Sequence, residues 1–202
     1  MPYELVLCDL GGVVVEVESD RLVHHAAQTL GRTFEEVHAA VYSAELLLPF
    51  ELGQITARQY YDGLTRALKL PWTYEQFARV WSDIFREQPG MAPLMQRLKR
   101  RHAIVALSNT NELHLGHIKA NFPQLSAVFV DWVASCEVGC RKPDRKIYEL
   151  ALKRAKKAAK HAIYIDDRPE LVEAGRAVGL TAIRFESAAQ LEQELLRLGV
   201  AF

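Results

Sequence analysis

The chain has 202 residues, half of them hydrophobic and a quarter charged, with 25 basic side chains against 25 acidic ones. That length fits one domain or a core with an insertion, and a formal net charge of zero gives no electrostatic footing for nucleic acid or an acidic membrane surface. No apolar run approaches the roughly 18 residues of a membrane span, the start MPYELVLCDL lacks the layout of a signal peptide, and three cysteines read as reduced thiols, so a cytoplasmic protein is expected.

The first predicted element is a buried strand, LVLC at 5–8, which ends by presenting Asp9 and then two glycines. Residues 19–88 are helix-like throughout. SDRLVHHAAQTLG, TFEEVHAAVYS, TARQYYDGLTRALKL and TYEQFARVWSDIF repeat apolar residues at spacings of three and four, with Ser19, Thr33, Thr56 and Thr73 at N-cap positions. About four helices thus precede the second strand, as a helical insertion above a sheet would require. EQPGMAP at 87–93, with two prolines and a glycine, reads as the return hinge.

Strands resume with AIVALS (103–108), HAIYID (161–166) and TAIRF (181–185), separated by helical stretches at 111–122, 144–157, 169–178 and 188–198. Gly179 and Gly199 stand as helix stops. Alternating strands and helices indicate an α/β fold with a doubly wound, Rossmann-like parallel sheet. The expected organisation is a core of residues 1–16 and 90–202 with a helical unit at 17–89.

In an open α/β sheet, ligands bind beyond the carboxyl ends of the strands. Those ends carry Asp9, then Ser108-Asn109, then Asp166-Asp167, while GCRKP presents Lys142 ahead of a helix. Each alone is an ordinary turn, cap or surface feature. Together they offer a nucleophilic carboxylate, a hydroxyl with backbone donors, a cation and an acidic pair. Mg2+ prefers oxygen ligands and needs only one or two carboxylates beside substrate oxygens; a phosphoryl group needs its charge neutralised, which Mg2+ and Lys142 supply.

CDLGG, LSNTN, GCRKP and YIDD, in this order, resemble the four motifs of the haloacid dehalogenase (HAD) superfamily, and the helical insertion resembles that superfamily's cap. The resemblance covers essentially the whole chain. DLGGVVVEVE, FELGQIT and LSNTN are similar to the bacterial branch of sugar-1-phosphate phosphatases. It implies a Mg2+-dependent phosphatase of a small, soluble organic phosphate, a sugar phosphate by that branch. Asp9 would attack phosphorus and form an aspartyl-phosphate. Asp9, the Gly11 carbonyl, Asp166 and Asp167 would hold Mg2+. Ser108, the Asn109 amide and Lys142 would bind the phosphoryl oxygens, and Lys142 would also neutralise Asp9.

Gly11 departs from the superfamily's pattern. Most of its phosphatases place Asp there, to protonate the leaving group and then activate water, a role worth typically about 10²–10⁴ in rate. Members of the sugar-phosphatase branch share the Asp-Leu-Gly, and an anomeric phosphate has a weakly basic leaving oxygen that needs less protonation. Glu16, Glu18, His24 and Glu51 are the candidate substitutes. The alternative is a weakened HAD-like protein with a binding or regulatory role.

Other readings are weaker. Cys136 and Cys140 lack the further ligand pair of a structural zinc site, and His114 and His117 share a helical face without one. The basic runs at 98–102 and 152–161 suit solvated helix faces, and the aromatics Tyr60, Tyr61, Trp72, Tyr74 and Trp81 suit a core between helices. A dehalogenase has less need of an acidic pair. A receiver domain would carry its acidic pair on the first strand, the reverse of the order here. Oligomeric state is left open.

Overall fold

The computed structural model describes residues 3–201, so Met1, Pro2 and Phe202, at the outer ends of the expected core segments, lie outside the described residues. Strand β1 (Leu5–Cys8) leads through a tight turn into β2 (Val15–Val17). Five helices follow: α1 (Asp20–Leu30), α2 (Phe34–Val41), α3 (Ala44–Glu51), α4 (Ala57–Leu68) and α5 (Tyr74–Ser82). Strand β3 (Phe85–Glu87) then pairs antiparallel with β2, and α6 (Met91–Lys99) returns the chain to the sheet. The rest alternates: β4 (Ala103–Ser108), α7 (Glu112–Asn121), α8 (Pro123–Ser126), β5 (Asp131–Ala134), α9 (Ser135–Val138), α10 (Arg145–Ala155), β6 (Ala162–Asp166), α11 (Pro169–Ala177), β7 (Thr181–Arg184) and α12 (Ala188–Arg197).

The main sheet is parallel, in the order β5-β4-β1-β6-β7, with β1 at its centre. Alternate side chains leave a strand on opposite faces, and each face has its own core. Val6 and Cys8 join Ile104, Ile163 and the residues of α6 and α12 on one side. Leu5 and Leu7 join Val105, Tyr164 and the residues of α10 and α11 on the other. Coverage of both faces is why the strands read as nearly continuous apolar runs.

Helices α1 to α5 enclose a third core, in which the Phe50 and Tyr60 rings stack at 4.7 Å beside Phe77 and Trp81. The aromatic supply of this segment is thus largely structural, with Tyr60 fully buried. Thr33, Thr56 and Thr73 each open a helix with a reciprocal capping box, bonding to Glu36, Gln59 and Gln76. Ser19 does not act this way: its backbone is already helical (φ −54°, ψ −34°), and its side chain makes no cap bond.

The insertion holds five helices rather than about four. The additional one, α3, spells AELLLPFE, whose apolar run has no helical period and contains Pro49. Across the expected return hinge at 87–93, Glu87 ends β3, Gly90 takes φ +79° and Met91 opens α6. Both crossings between the helices and the sheet run through the β2–β3 ribbon or directly beside it.

Candidate active site

The register of the parallel strands builds the site. Cys8 lies opposite Ala106 on β4 and Ile165 on β6, so the next residues along, Asp9 and Asp166, emerge side by side. Lys142 reaches between them: its Nζ lies 3.0 Å from Asp9 Oδ1 and 2.7 Å from Asp166 Oδ2. All three are buried, Lys142 to 1% exposure. Burial by itself would discharge the ammonium, but the two carboxylates outweigh it and raise the Lys142 pKa. Asp9 shows the opposite balance. Burial pushes it up to about 6, against the pull of Lys142 and with the Asp166 charge adding to the rise.

Two further contacts hold this group, and the sequence reading contained neither. The Tyr164 hydroxyl donates to Asp166 Oδ2, and the Arg168 amide donates to Asp166 Oδ1 at 2.9 Å. Tyr164 stands two residues before Asp166 on the same strand, hence on the same face; that spacing was the available signal. The Asn109 side chain grips the backbone of Lys142 at both ends, accepting from its N–H at 2.8 Å and donating to its carbonyl at 2.9 Å. Asn109 therefore places Lys142 with its side chain, and only its backbone amide is left for the phosphate role expected of it.

The two glycines have different tasks. The turn after Asp9 closes on the Leu10 carbonyl, which accepts from Val14 at 2.8 Å and Val15 at 3.0 Å. Gly12 takes φ +79°, and a Cβ there would lie 2.5 Å from Asp167 Oδ2. Glycine is thus required both by backbone conformation and by the approach of Asp167. A Cβ on Gly11 would meet Val17 Cγ2 at 3.0 Å, so the space an acid–base side chain would enter is partly filled.

Asp9, Asp166 and Asp167 bring ligand oxygens within 4.8 Å of one another. Asp167 is also shifted upward, by burial and then by the Asp166 charge. Three carboxylates against one ammonium leave an excess of negative charge, and an all-oxygen set of this kind fits a hard divalent cation.

A cavity of about 540 Å³ opens over the group, lined by Asp9, Gly11, Ser108, Asn109, Lys142 and Asp167. Glu51, at the end of α3, also lines it, with its carboxylate on Arg141 Nη1 at 2.6 Å. Burial raises the Glu51 pKa despite Arg141. The other candidate substitutes for the acid–base do not line this cavity. Glu18 pairs with Arg21 and Arg86, Glu16 is exposed on β2, and His24 tilts against Phe34 beside a separate surface groove. His114 is half-buried in a bonded ring with Trp81 and Asn111, and its pKa is lowered to about 4 by desolvation.

The haloacid dehalogenase-like hydrolase family model matches residues 3–179, and the protein belongs to that family of enzymes. The sesquiterpene phosphatase astK of Aspergillus oryzae is 28% identical over 97% of this chain and 96% of its own length. The D-ribitol-5-phosphate phosphatase of Bacteroides thetaiotaomicron is 23% identical over 94% of this chain and 95% of its own. Among solved structures, a HAD family enzyme from B. thetaiotaomicron in complex with magnesium and inorganic phosphate superposes with a TM-score of 0.82 at 21% identity. It covers 92% of this chain and 95% of its own, a likeness of fold.

Proposed function

We propose that the protein is a Mg2+-dependent phosphatase that hydrolyses a small organic phosphate monoester through an aspartyl-phosphate on Asp9. One observation carries this reading: Asp9 and Asp166 share a single buried ammonium, with Asp167 close enough to complete a cation site. Phosphatase relatives over nearly the whole chain support it. Their names imply widely different substrates, from a sesquiterpene to a sugar-alcohol phosphate, so they favour the reaction and not one substrate.

Asp9 Oδ1 accepts from Leu10 N–H at 2.8 Å and from Lys142, so Oδ2 is the oxygen assigned to attack. It forms a bond to phosphorus, the bond to the ester oxygen breaks, and that oxygen takes a proton from a water molecule enclosed in the site. Water then attacks the aspartyl-phosphate, releasing inorganic phosphate and restoring the carboxylate. Lys142, Ser108 and the Asn109 amide hold the phosphoryl oxygens during both steps. Asp9, the Gly11 carbonyl, Asp166 and Asp167 would hold Mg2+, which when bound supplies neutralisation of phosphoryl charge. The helical unit at 17–89 serves as the cap that excludes bulk water.

The test is phosphate release from an aryl phosphate, with and without chelator, by the wild type and by Asp9→Asn. Activity that chelation removes and Mg2+ restores, and that falls by several orders of magnitude in Asp9→Asn, is the expected result. Full activity in excess chelator, or in Asp9→Asn, would sink the assignment. Binding of Mg2+ and phosphate without turnover would favour a binding or regulatory role.

A further inference from the structure

A second, smaller recess adjoins the cavity over Asp9. The two share Ser19 and Glu51 in their walls, so the recess lies on the route that an ester's organic half takes away from the phosphate. Its inner wall is Leu22, Leu47, Trp81 and Ile84, closed by Tyr42, Asn111 and His114. Val17 continues the apolar lining back to Gly11: it is 40% exposed and lines the larger cavity.

Most of the polar side chains of the recess are already engaged. Asn111 Oδ1 accepts from Trp81 Nε1 at 3.3 Å, and Asn111 Nδ2 meets His114 Nδ1 at 3.1 Å. With Nδ1 accepting, His114 Nε2 carries the proton and donates to the Trp81 carbonyl at 2.9 Å. The Tyr42 hydroxyl donates to the Ser19 carbonyl at 3.1 Å, and Glu51 at the mouth is held by Arg141. A polyol placed here would find few free partners for its hydroxyls beyond Ser19 Oγ and the second Glu51 oxygen at the mouth, and a buried polar group without a partner is costly. An alkyl group would lose nothing and would leave water for an apolar wall.

We propose that this recess is the leaving-group subsite and that it selects phosphate monoesters of small apolar alcohols over those of polyhydroxylated ones. The inference rests on the phosphatase reading above and narrows it away from the sugar phosphates that the motifs suggested. The recess measures about 60 Å³, against about 540 Å³ for the cavity over Asp9, which suits a small organic group.

The experiment compares kcat/KM for n-propyl phosphate and glycerol 1-phosphate, which have chains of the same length, at saturating Mg2+. The leaving oxygen of glycerol is the less basic, so chemistry alone favours the glycerol ester. The subsite predicts the reverse, with propyl phosphate ahead by about tenfold or more. Leu47→Gln, which puts a hydrogen-bonding side chain into the wall, should narrow that ratio, with inhibition by inorganic phosphate reporting on the phosphate half of the site. Equal rates, a preference for the glycerol ester, or a ratio unmoved by Leu47→Gln would overturn the proposal. An aryl phosphate separates the two levels. If its Asp9-dependent turnover persists while glycerol phosphate is preferred, only the subsite is rejected. If neither it nor either alkyl ester is turned over in an Asp9-dependent way, the phosphatase reading fails and takes the subsite with it.

Discussion

Lys142 shows how far one residue's worth depends on its neighbours. Its ammonium is the counter-charge for two buried carboxylates. Removing one partner of a buried ion pair strands the other, at a cost of about 3–5 kcal/mol. Lys142→Ala should therefore unfold at clearly lower denaturant concentration than the wild type, besides losing activity, and added Mg2+ should recover part of the loss. A melting profile like that of the wild type would mean that solvent already screens the carboxylates. Gly11 poses the converse problem, a group whose absence has to be explained. Its Cβ position lies 3.0 Å from Val17 Cγ2, tight enough that the valine must yield. Gly11→Asp alone should gain little, whereas Gly11→Asp with Val17→Ala should gain more than the two changes do separately. The gain should be largest for esters of strongly basic alcohols, where an acid at the leaving oxygen counts most. Additive effects in a double-mutant cycle on kcat/KM would show that Val17 does not occupy the acid's place.

Among elements, the contact between α5 and α7 is the most informative. Trp81 on α5 and Asn111 and His114 at the start of α7 close a ring of three side-chain-mediated bonds, and the Trp81 and His114 rings stack at 5.1 Å. The ring ties α5 to α7, and it works only with a neutral His114. Burial lowers the His114 pKa from 6.5 to about 4. Between those values the unfolded chain binds the proton and the folded chain does not. Stability from this group is therefore full above pH 6.5 and drains away as pH falls toward 4. Thermal unfolding of the wild type should lose more over that window than unfolding of His114→Gln does; parallel curves would reject the clamp. The ring was not legible in the sequence, where His114 and His117 suggested only a helical face, because its partners come from distant elements. What the sequence did carry were features with local causes. Three Thr-x-x-Glu/Gln capping boxes and the long apolar strands β1, β4 and β6 follow from near-neighbour chemistry. The positions of Asp9, Ser108 and Asp166 follow from the rule that places ligands beyond parallel strand ends. The elements it did not carry have weak local signals: β2 and β3 have three residues each, β5 begins with Asp131 and Trp132, and α3 contains a proline. Their stability comes from ribbon pairing, from the sheet and from the third core.

Across the whole molecule, the sheet concentrates negative charge at one edge and the fold tolerates it by holding protons there. Asp9 and Asp167 are both shifted upward, Asp9 to about 6. Without a cation, the folded state therefore keeps a proton on Asp9 that the unfolded chain, at the ordinary 3.8, gives up. By linkage, this group's contribution is full below 3.8 and is lost as pH rises through about 6, so the uncompensated site weighs most against folding at neutral pH. A divalent cation bound by the same carboxylates must displace those protons, so its apparent affinity should weaken as pH falls through about 6. At a Mg2+ concentration 100 times its dissociation constant, the stability gained is about 2.7 kcal/mol, or several degrees in Tm at roughly 2–4 °C per kcal/mol for a chain of this size. That gain should be greatest near neutral pH and shrink in acid. The measurement is Tm with and without Mg2+ across pH 4.5–8. The acid loss from His114 affects both samples alike and cancels in the difference, so the difference isolates the carboxylate edge. A Mg2+ gain that stays level across pH 6 would place the cation away from Asp9, and the aspartyl-phosphate mechanism would lose its charge partner.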